Sequence, residues 1–252
     1  MYNPFSLVGK TILVTGASSG IGRAVAVECS RMGAKVVLNG RNKDALKETL
    51  SLLEKLPSEE EHLIMPGDLT VVDEIEYVTK ECPCLDGLVN NAGISEIKPL
   101  LFVNEKDLFR MFSIDTFAPV LLLKNLVKKK KMKNPSSVVF TSSISGVTNY
   151  APGVSVYGAC KSAINAFMKY AALELASKGI RCNAVNPGRT LTPLILHKEL
   201  SEEDVAKDIE KYPMKRYARP EDIAHAIVFL LSDASSYITG SDLIIDGGRS
   251  LN

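Results

Sequence analysis

The chain has 252 residues, 46% of them hydrophobic and 23% charged, with a net charge of +1, the make-up of an ordinary soluble globular protein with a substantial core. Lysine plus arginine (30) balance aspartate plus glutamate (29), so no nucleic-acid partner is expected. No apolar segment approaches the ~18–20 residues of a membrane span, and no membrane partner is expected either.

Five cysteines lack disulfide or metal-ligand spacing, and three histidines are scattered, so the expectation is reduced thiols and no metal. The start, MYNPFSLVGKTILV, lacks a signal-peptide pattern, and a cytoplasmic location follows as the expectation.

In chain order, TILVTG (11–16) reads as the first strand, with a helical pattern over 21–32 behind it. The turn between them, TGASSGIGRA, carries Gly16, Gly20 and Gly22. These allow a tight turn, close approach of a phosphate to the backbone and close helix packing, and the helix's free N–H groups suit a diphosphate. The spacing is G-x-x-x-G-x-G, not the commoner G-x-G-x-x-G, and a plain tight turn would serve the same pattern. KVVLNG (35–40) is the second strand, ahead of a helix over 42–56. An acid at this strand's end binds the ribose 2′-OH of NAD. Here the residues are LNGRN, and Arg41 suits a 2′-phosphate, which favours NADP(H); an ordinary surface arginine is the other reading.

HLIMPGD (62–68), GLVNNAG (87–93), SVVFTSS (137–143), IRCNAVNPG (180–188) and DLIIDGG (242–248) complete the strands. Helical patterns lie near 70–80, 104–131, 155–178 and 220–231. Most strands are unbroken Val/Ile/Leu runs, as in a parallel sheet covered on both faces. The run Lys128–Lys133 reads as the solvated C-terminal end of a helix. No Pro/Gly/Ser-rich linker interrupts this rhythm. It predicts an α/β fold with one domain over 1–252, a doubly wound Rossmann-type domain with a mainly parallel seven-stranded sheet flanked by helices. The polar stretch 189–219 reads as an insertion, a substrate flap. In SVYGACKSA, Tyr157 and Lys161 stand four apart and share a helix face, either as chemistry or as a polar helix edge.

Six segments together resemble the classical short-chain dehydrogenase/reductase family, over nearly the whole chain. They are TGASSGIG (15–22), NNAG (90–93), the serine of TSSISG (141–146), YGACK (157–161), NPG (186–188) and RPEDIAHAIVFLLSDASSYITGSDLIIDGG near the end. The resemblance implies that Tyr157 is the catalytic acid/base and that Ser143 hydrogen-bonds the substrate oxygen. Lys161 would lower the phenol's pKa and hold the nicotinamide ribose. Ser18, Ser19 and Ile21 would lie in the phosphate turn, and Asp68 and Leu69 would cap the adenine. Asn90, Asn91 and Gly93 would line the adenosine ribose. Pro187, Gly188, Thr190 and Thr192 would contact the nicotinamide carboxamide, although Thr192 equally suits a helix cap before Pro193.

The chain departs from that pattern at Asp115, where the family usually has an asparagine supporting a proton-relay water. An ionised Asp115 near Lys161 would stabilise the ammonium and weaken its pull on the Tyr157 proton. Alternatively it is protonated, or turned away to cap its own helix. The resemblance implies an NADP(H)-dependent oxidoreductase interconverting a ketone and a secondary alcohol, closest to 3-oxoacyl-[acyl-carrier-protein] reductases, with a small-molecule substrate. The alternatives are a hydroxysteroid or sugar-alcohol dehydrogenase, and a non-catalytic NADP(H)-binding redox sensor. A homotetramer, or a homodimer, is expected, and the apolar faces of 104–127 and 155–176 agree with it.

Overall fold

The computed structural model describes residues 2–56, 61–193 and 201–251. Its strands are β1 (Thr11–Thr15), β2 (Lys35–Gly40), β3 (Leu63–Pro66), β4 (Leu85–Asn90), β5 (Met132–Thr141), β6 (Ile180–Pro187) and β7 (Asp242–Ile245). The helices are α1 (Gly20–Arg31), α2 (Lys43–Ser51), α3 (Val72–Glu81), α4 (Glu105–Phe112), α5 (Ala118–Lys128), α6 (Ser155–Leu175), α7 (Glu202–Ile209) and α8 (Pro220–Leu231). The strands form one sheet in the order β3-β2-β1-β4-β5-β6-β7. Every neighbouring pair is parallel. The order reverses between β1 and β4, and a crevice for a ligand opens there at the carboxyl ends of the strands.

The unbroken apolar runs have a direct cause: alternate residues of each strand enter two different cores. Leu13, Val37, Val138 and Phe140 face α3, α5 and α6. Ile12, Val14, Val36, Leu38 and Val139 face α1, α2 and α8. A strand with both faces covered has no polar side to show, which is why its sequence does not alternate.

Three elements differ from the sequence expectation. The pattern over 104–131 is not one helix; α4 and α5 are separated by a π-helical turn, Ser113–Phe117. Pro119 explains it. Lacking an N–H, it cannot bond to the carbonyl of Asp115, and the N–H of Ala118 reaches back five residues to Ser113 instead. Helix α2 stops at Ser51, short of residue 56, and the chain beyond it is held elsewhere: Glu54 donates its N–H to Ser30 Oγ at 3.1 Å and accepts from His62 Nε2 at 2.8 Å.

Helix α5 ends at Lys128 with Lys129 as its C-cap, so the lysine run opens as the expected helix end, and it then passes through a turn into β5, which starts early, at Met132. Lys131 donates to the Cys82 carbonyl at 2.6 Å and Lys133 pairs with Asp86 at 2.8 Å. All five cysteines are free. No helix among the described residues is long and apolar enough to cross a membrane.

Phe140 is fully buried in β5 and meets Phe167 edge-on, with ring centroids 6.0 Å apart. Phe140→Ala should lower the unfolding free energy by about 3–5 kcal/mol in a denaturant titration. A loss under ~1 kcal/mol would place Phe140 outside the core described here.

Candidate active site

The carboxyl ends of the first six strands gather nearly all the residues singled out from the sequence. The turn after β1 is tight for a physical reason. A Cβ at Gly16 (φ +66°) would come within 2.9 Å of Ala92 Cα, and one at Gly22 within 2.2 Å of the Gly16 carbonyl oxygen. No side chain fits at either place. The N-cap of α1, Ser19, places no side chain over the helix's first N–H groups, which remain open to an anion. Gly20 (φ +54°) packs beneath the Thr192 methyl, where a Cβ would stand 3.1 Å from Cγ2. The phosphate turn and the loop after β6 therefore meet around one cradle, and this geometry fits a dinucleotide diphosphate.

Residues behind the turn, whose roles the sequence did not reveal, hold this cradle. Thr15 Oγ1 accepts from the N–H groups of Asn91 (2.9 Å) and Ala92 (3.0 Å) and donates to the Val89 carbonyl (3.1 Å). Asn91 Nδ2 donates to the Thr15 carbonyl at 3.1 Å. On the outer side, Arg23 donates to the Ser18 carbonyl (2.6 Å) and to Thr49 Oγ1 (3.0 Å), while Thr49 donates to the Ala17 carbonyl (2.9 Å). Asn90 ends β4 with its Nδ2 buried and unpartnered among the described residues.

Arg41, 73% exposed after β2, lies 3.8 Å from Asp68 after β3, so the structure brings these two residues together. Burial acts against the Asp68 carboxylate, but the bonds from Thr70 and the Arg41 charge leave it below its usual pKa. Leu69 is buried beside it. Beyond β6, Gly188 lies against Asp246, where a Cβ would be 3.0 Å from backbone and side chain. Thr190 donates to the Gly188 carbonyl (3.2 Å) and bridges to Ala218, which closes the base of the 189–219 stretch. The middle of that stretch, 194–200, lies outside the described residues, as does any helix that Thr192 would cap.

At the end of β5 the two serines differ in use. Ser142 Oγ donates to the Lys161 carbonyl at 3.0 Å. Ser143 Oγ accepts from the Ser145 N–H at 3.1 Å, and its own O–H is in reach of the Tyr157 phenol. Close packing of this turn on α6 requires Gly146, whose Cβ would meet the Lys161 carbonyl carbon at 2.6 Å. Tyr157 and Lys161 share the facing side of α6, with Lys161 Nζ 5.6 Å from the Tyr157 ring centroid. Lys161 is buried, donates to the Thr141 carbonyl at 3.2 Å, and pairs with Asp115 Oδ1 at 2.9 Å.

Asp115 is thus turned toward Lys161 and does not cap its own helix. Its other oxygen accepts the Ile94 N–H at 3.2 Å. Burial works to lower the Lys161 pKa, but the Asp115 carboxylate and Tyr157 overcome it and hold the ammonium above its usual value. Burial, reinforced by Asp115, raises the Tyr157 phenol above its usual pKa against the opposing pull of Lys161 and Ser143.

If Thr15 holds the two crevice loops together, Thr15→Val should cost about 1–3 kcal/mol of stability by leaving two N–H groups without their acceptor. Thr15→Ser should restore it. A valine variant as stable as the wild type in urea would contradict this role.

Comparison with known proteins follows the same lines. A family model described as enoyl-(acyl carrier protein) reductase matches residues 16–250. The 3-oxoacyl-[acyl-carrier-protein] reductase FabG of Rickettsia felis is 33% identical over 242 residues, 96% of this chain and 97% of that protein. The glucose 1-dehydrogenase of Gluconobacter oxydans is 34% identical over 249 residues, 96% of this chain and 92% of that protein. A Beutenbergia cavernae structure, provisionally described as an NAD(P)-dependent gluconate 5-dehydrogenase with NADP bound at low occupancy, superposes with a TM-score of 0.91 and 31% identity, covering 99% of this chain and 100% of that one. The glycine cradle, the sheet order and these matches agree: the chain belongs to the short-chain dehydrogenase/reductase family and is an NAD(P)-dependent oxidoreductase acting on CH–OH donors.

Proposed function

We propose that the protein is an NADP(H)-dependent carbonyl reductase/alcohol dehydrogenase whose substrate is a 3-oxoacyl thioester. The observation that carries this reading is the convergence of Ser143, Tyr157 and Lys161 beside the glycine cradle at the carboxyl edge of the sheet. When bound, the nicotinamide supplies the hydride. Tyr157 gives its phenolic proton to the substrate oxygen, and Ser143 donates a hydrogen bond to the same oxygen. Lys161 provides the positive field that favours the phenolate and holds the nicotinamide ribose.

Gly16, Ser18, Ser19, Gly20, Ile21 and Gly22 hold the diphosphate. Asp68, Leu69, Asn90, Asn91 and Gly93 line the adenosine half, and Pro187, Gly188, Thr190 and Thr192 line the nicotinamide half. Arg41 takes the 2′-phosphate; the absence of an acid at the end of β2 and the exposure of its guanidinium support NADP(H). The FabG relatives favour the thioester, and the glucose and gluconate dehydrogenases support a sugar alcohol as the second reading. One catalytic unit over 1–252 carries both halves of the site.

We further infer a homotetramer in the cytoplasm. Leu101 (93% exposed), Phe109, Tyr170 and Leu173 leave large apolar side chains uncovered around α4 and α6, and a second copy of the chain is the natural cover.

Arg41→Ala should weaken NADPH binding far more than NADH binding, by about tenfold to a hundredfold for a lost charge-assisted contact of about 1.5–3 kcal/mol. Equal weakening of both cofactors, measured by fluorescence titration, would remove the assignment. Tyr157→Phe should abolish ketone reduction while NADPH binding stays within a few-fold; substantial remaining turnover would show that another group is the acid. A steady-state panel of 3-oxoacyl thioesters, sugar alcohols and steroids then selects among substrates.

A further inference from the structure

We propose that Asp115 is a positioning residue whose buried carboxylate clamps the Lys161 ammonium and so biases the site toward carbonyl reduction over alcohol oxidation. The inference rests on the roles given above to Tyr157 and Lys161. Its geometry is specific. The Asp115 side chain is fully buried and that of Lys161 is 7% exposed, 2.9 Å apart. The π-helical turn forced by Pro119 carries the carboxylate, and the Ile94 N–H steadies its second oxygen. Gly93 leaves room for the pair; a Cβ there would stand 2.5 Å from Asp115 Oδ1 and 3.3 Å from Lys161 Nζ.

The groups acting on Tyr157 are Lys161 and Cys160 on its own helix, Asp115 on the π-helical turn, and the neutral Ser143 hydroxyl after β5. A lone buried ammonium would favour the phenolate strongly. An ammonium bound to a carboxylate presents a dipole, whose field falls off faster than that of a charge. Burial is the largest influence holding the proton on Tyr157, and the Asp115 carboxylate acts in the same direction against the pull of Lys161. Reduction begins from the protonated phenol: the O–H bond breaks, the proton goes to the carbonyl oxygen as the hydride arrives at carbon, and solvent reprotonates the phenolate. Oxidation begins from the phenolate and is confined to alkaline conditions.

The test needs no turnover. Tyrosinate absorbance is titrated in the cofactor-free protein and in Tyr157→Phe, and their difference is the curve of Tyr157 alone. The same pair is then measured in the Asp115→Asn background, or in Asp115→Ser if the amide does not fold. The wild-type curve should lie above that of free tyrosine, and the Asp115 variants should move it to lower pH. In the complete enzyme the pH profile of alcohol oxidation should move the same way, with the rate at neutral pH rising about tenfold for each unit moved. A wild-type curve at or below free tyrosine, or an unmoved or upward-moved curve in a folded variant, would overturn the proposal. Absence of turnover with a shifted titration would overturn only the assigned reaction.

Discussion

One hydroxyl joins the two halves of the crevice. Thr15 ends β1, and its Oγ1 takes the first two free N–H groups of the loop that leaves β4. Those strands flank the point where the sheet order reverses, the only place in a doubly wound sheet where adjacent loops diverge and leave a gap for a ligand. Held together there, the loops bring Gly16 so near Ala92, and Gly22 so near the Gly16 carbonyl, that side chains are excluded and bare backbone lines the cradle. Nothing in the turn itself requires this closeness. It follows from a bond across 76 residues of chain.

The reacting end of the site depends in the same way on a backbone irregularity. Pro119 cannot donate to the Asp115 carbonyl, and the helix relaxes into a π-helical turn that carries the carboxylate to Lys161. Two charges with so little access to water are costly unless they are paired with each other. Here Lys161 has Asp115 and the Thr141 carbonyl, and Asp115 has Lys161 and the Ile94 N–H. The pair is held by charge at 2.9 Å, and Lys161 Nζ stands 5.6 Å from the Tyr157 ring centroid.

Much of this was legible in the sequence, for identifiable reasons. A strand covered on both faces is continuously apolar, so most of the strands could be read, and their alternation with helices gave a doubly wound Rossmann-type sheet, though not the strand order. Glycines that face backbone cannot be replaced, so the phosphate turn was visible, and a helix places residues four apart on one face, so Tyr157 and Lys161 were visible as a pair. Thr15, Arg23 and Thr49 were not, because their roles are hydrogen bonds between segments distant in sequence and carry no local spacing. The π-helical turn has a local signal, a proline inside the 28-residue helical pattern over 104–131. The early start of β5 was hidden by lysines, whose ammonium groups reach the Cys82 carbonyl and Asp86.

In the proposed reaction a hydride passes to a carbonyl carbon at this cradle while the protein supplies the proton. Incubation with NADPH carrying deuterium at both C4 positions and a 3-oxoacyl thioester, followed by mass spectrometry of the product, tests it most directly. One deuterium is expected, carbon-bound at the new alcohol centre and not exchangeable with water. An alcohol formed without deuterium, or no alcohol from any ketone in the presence of either nicotinamide cofactor, would contradict it.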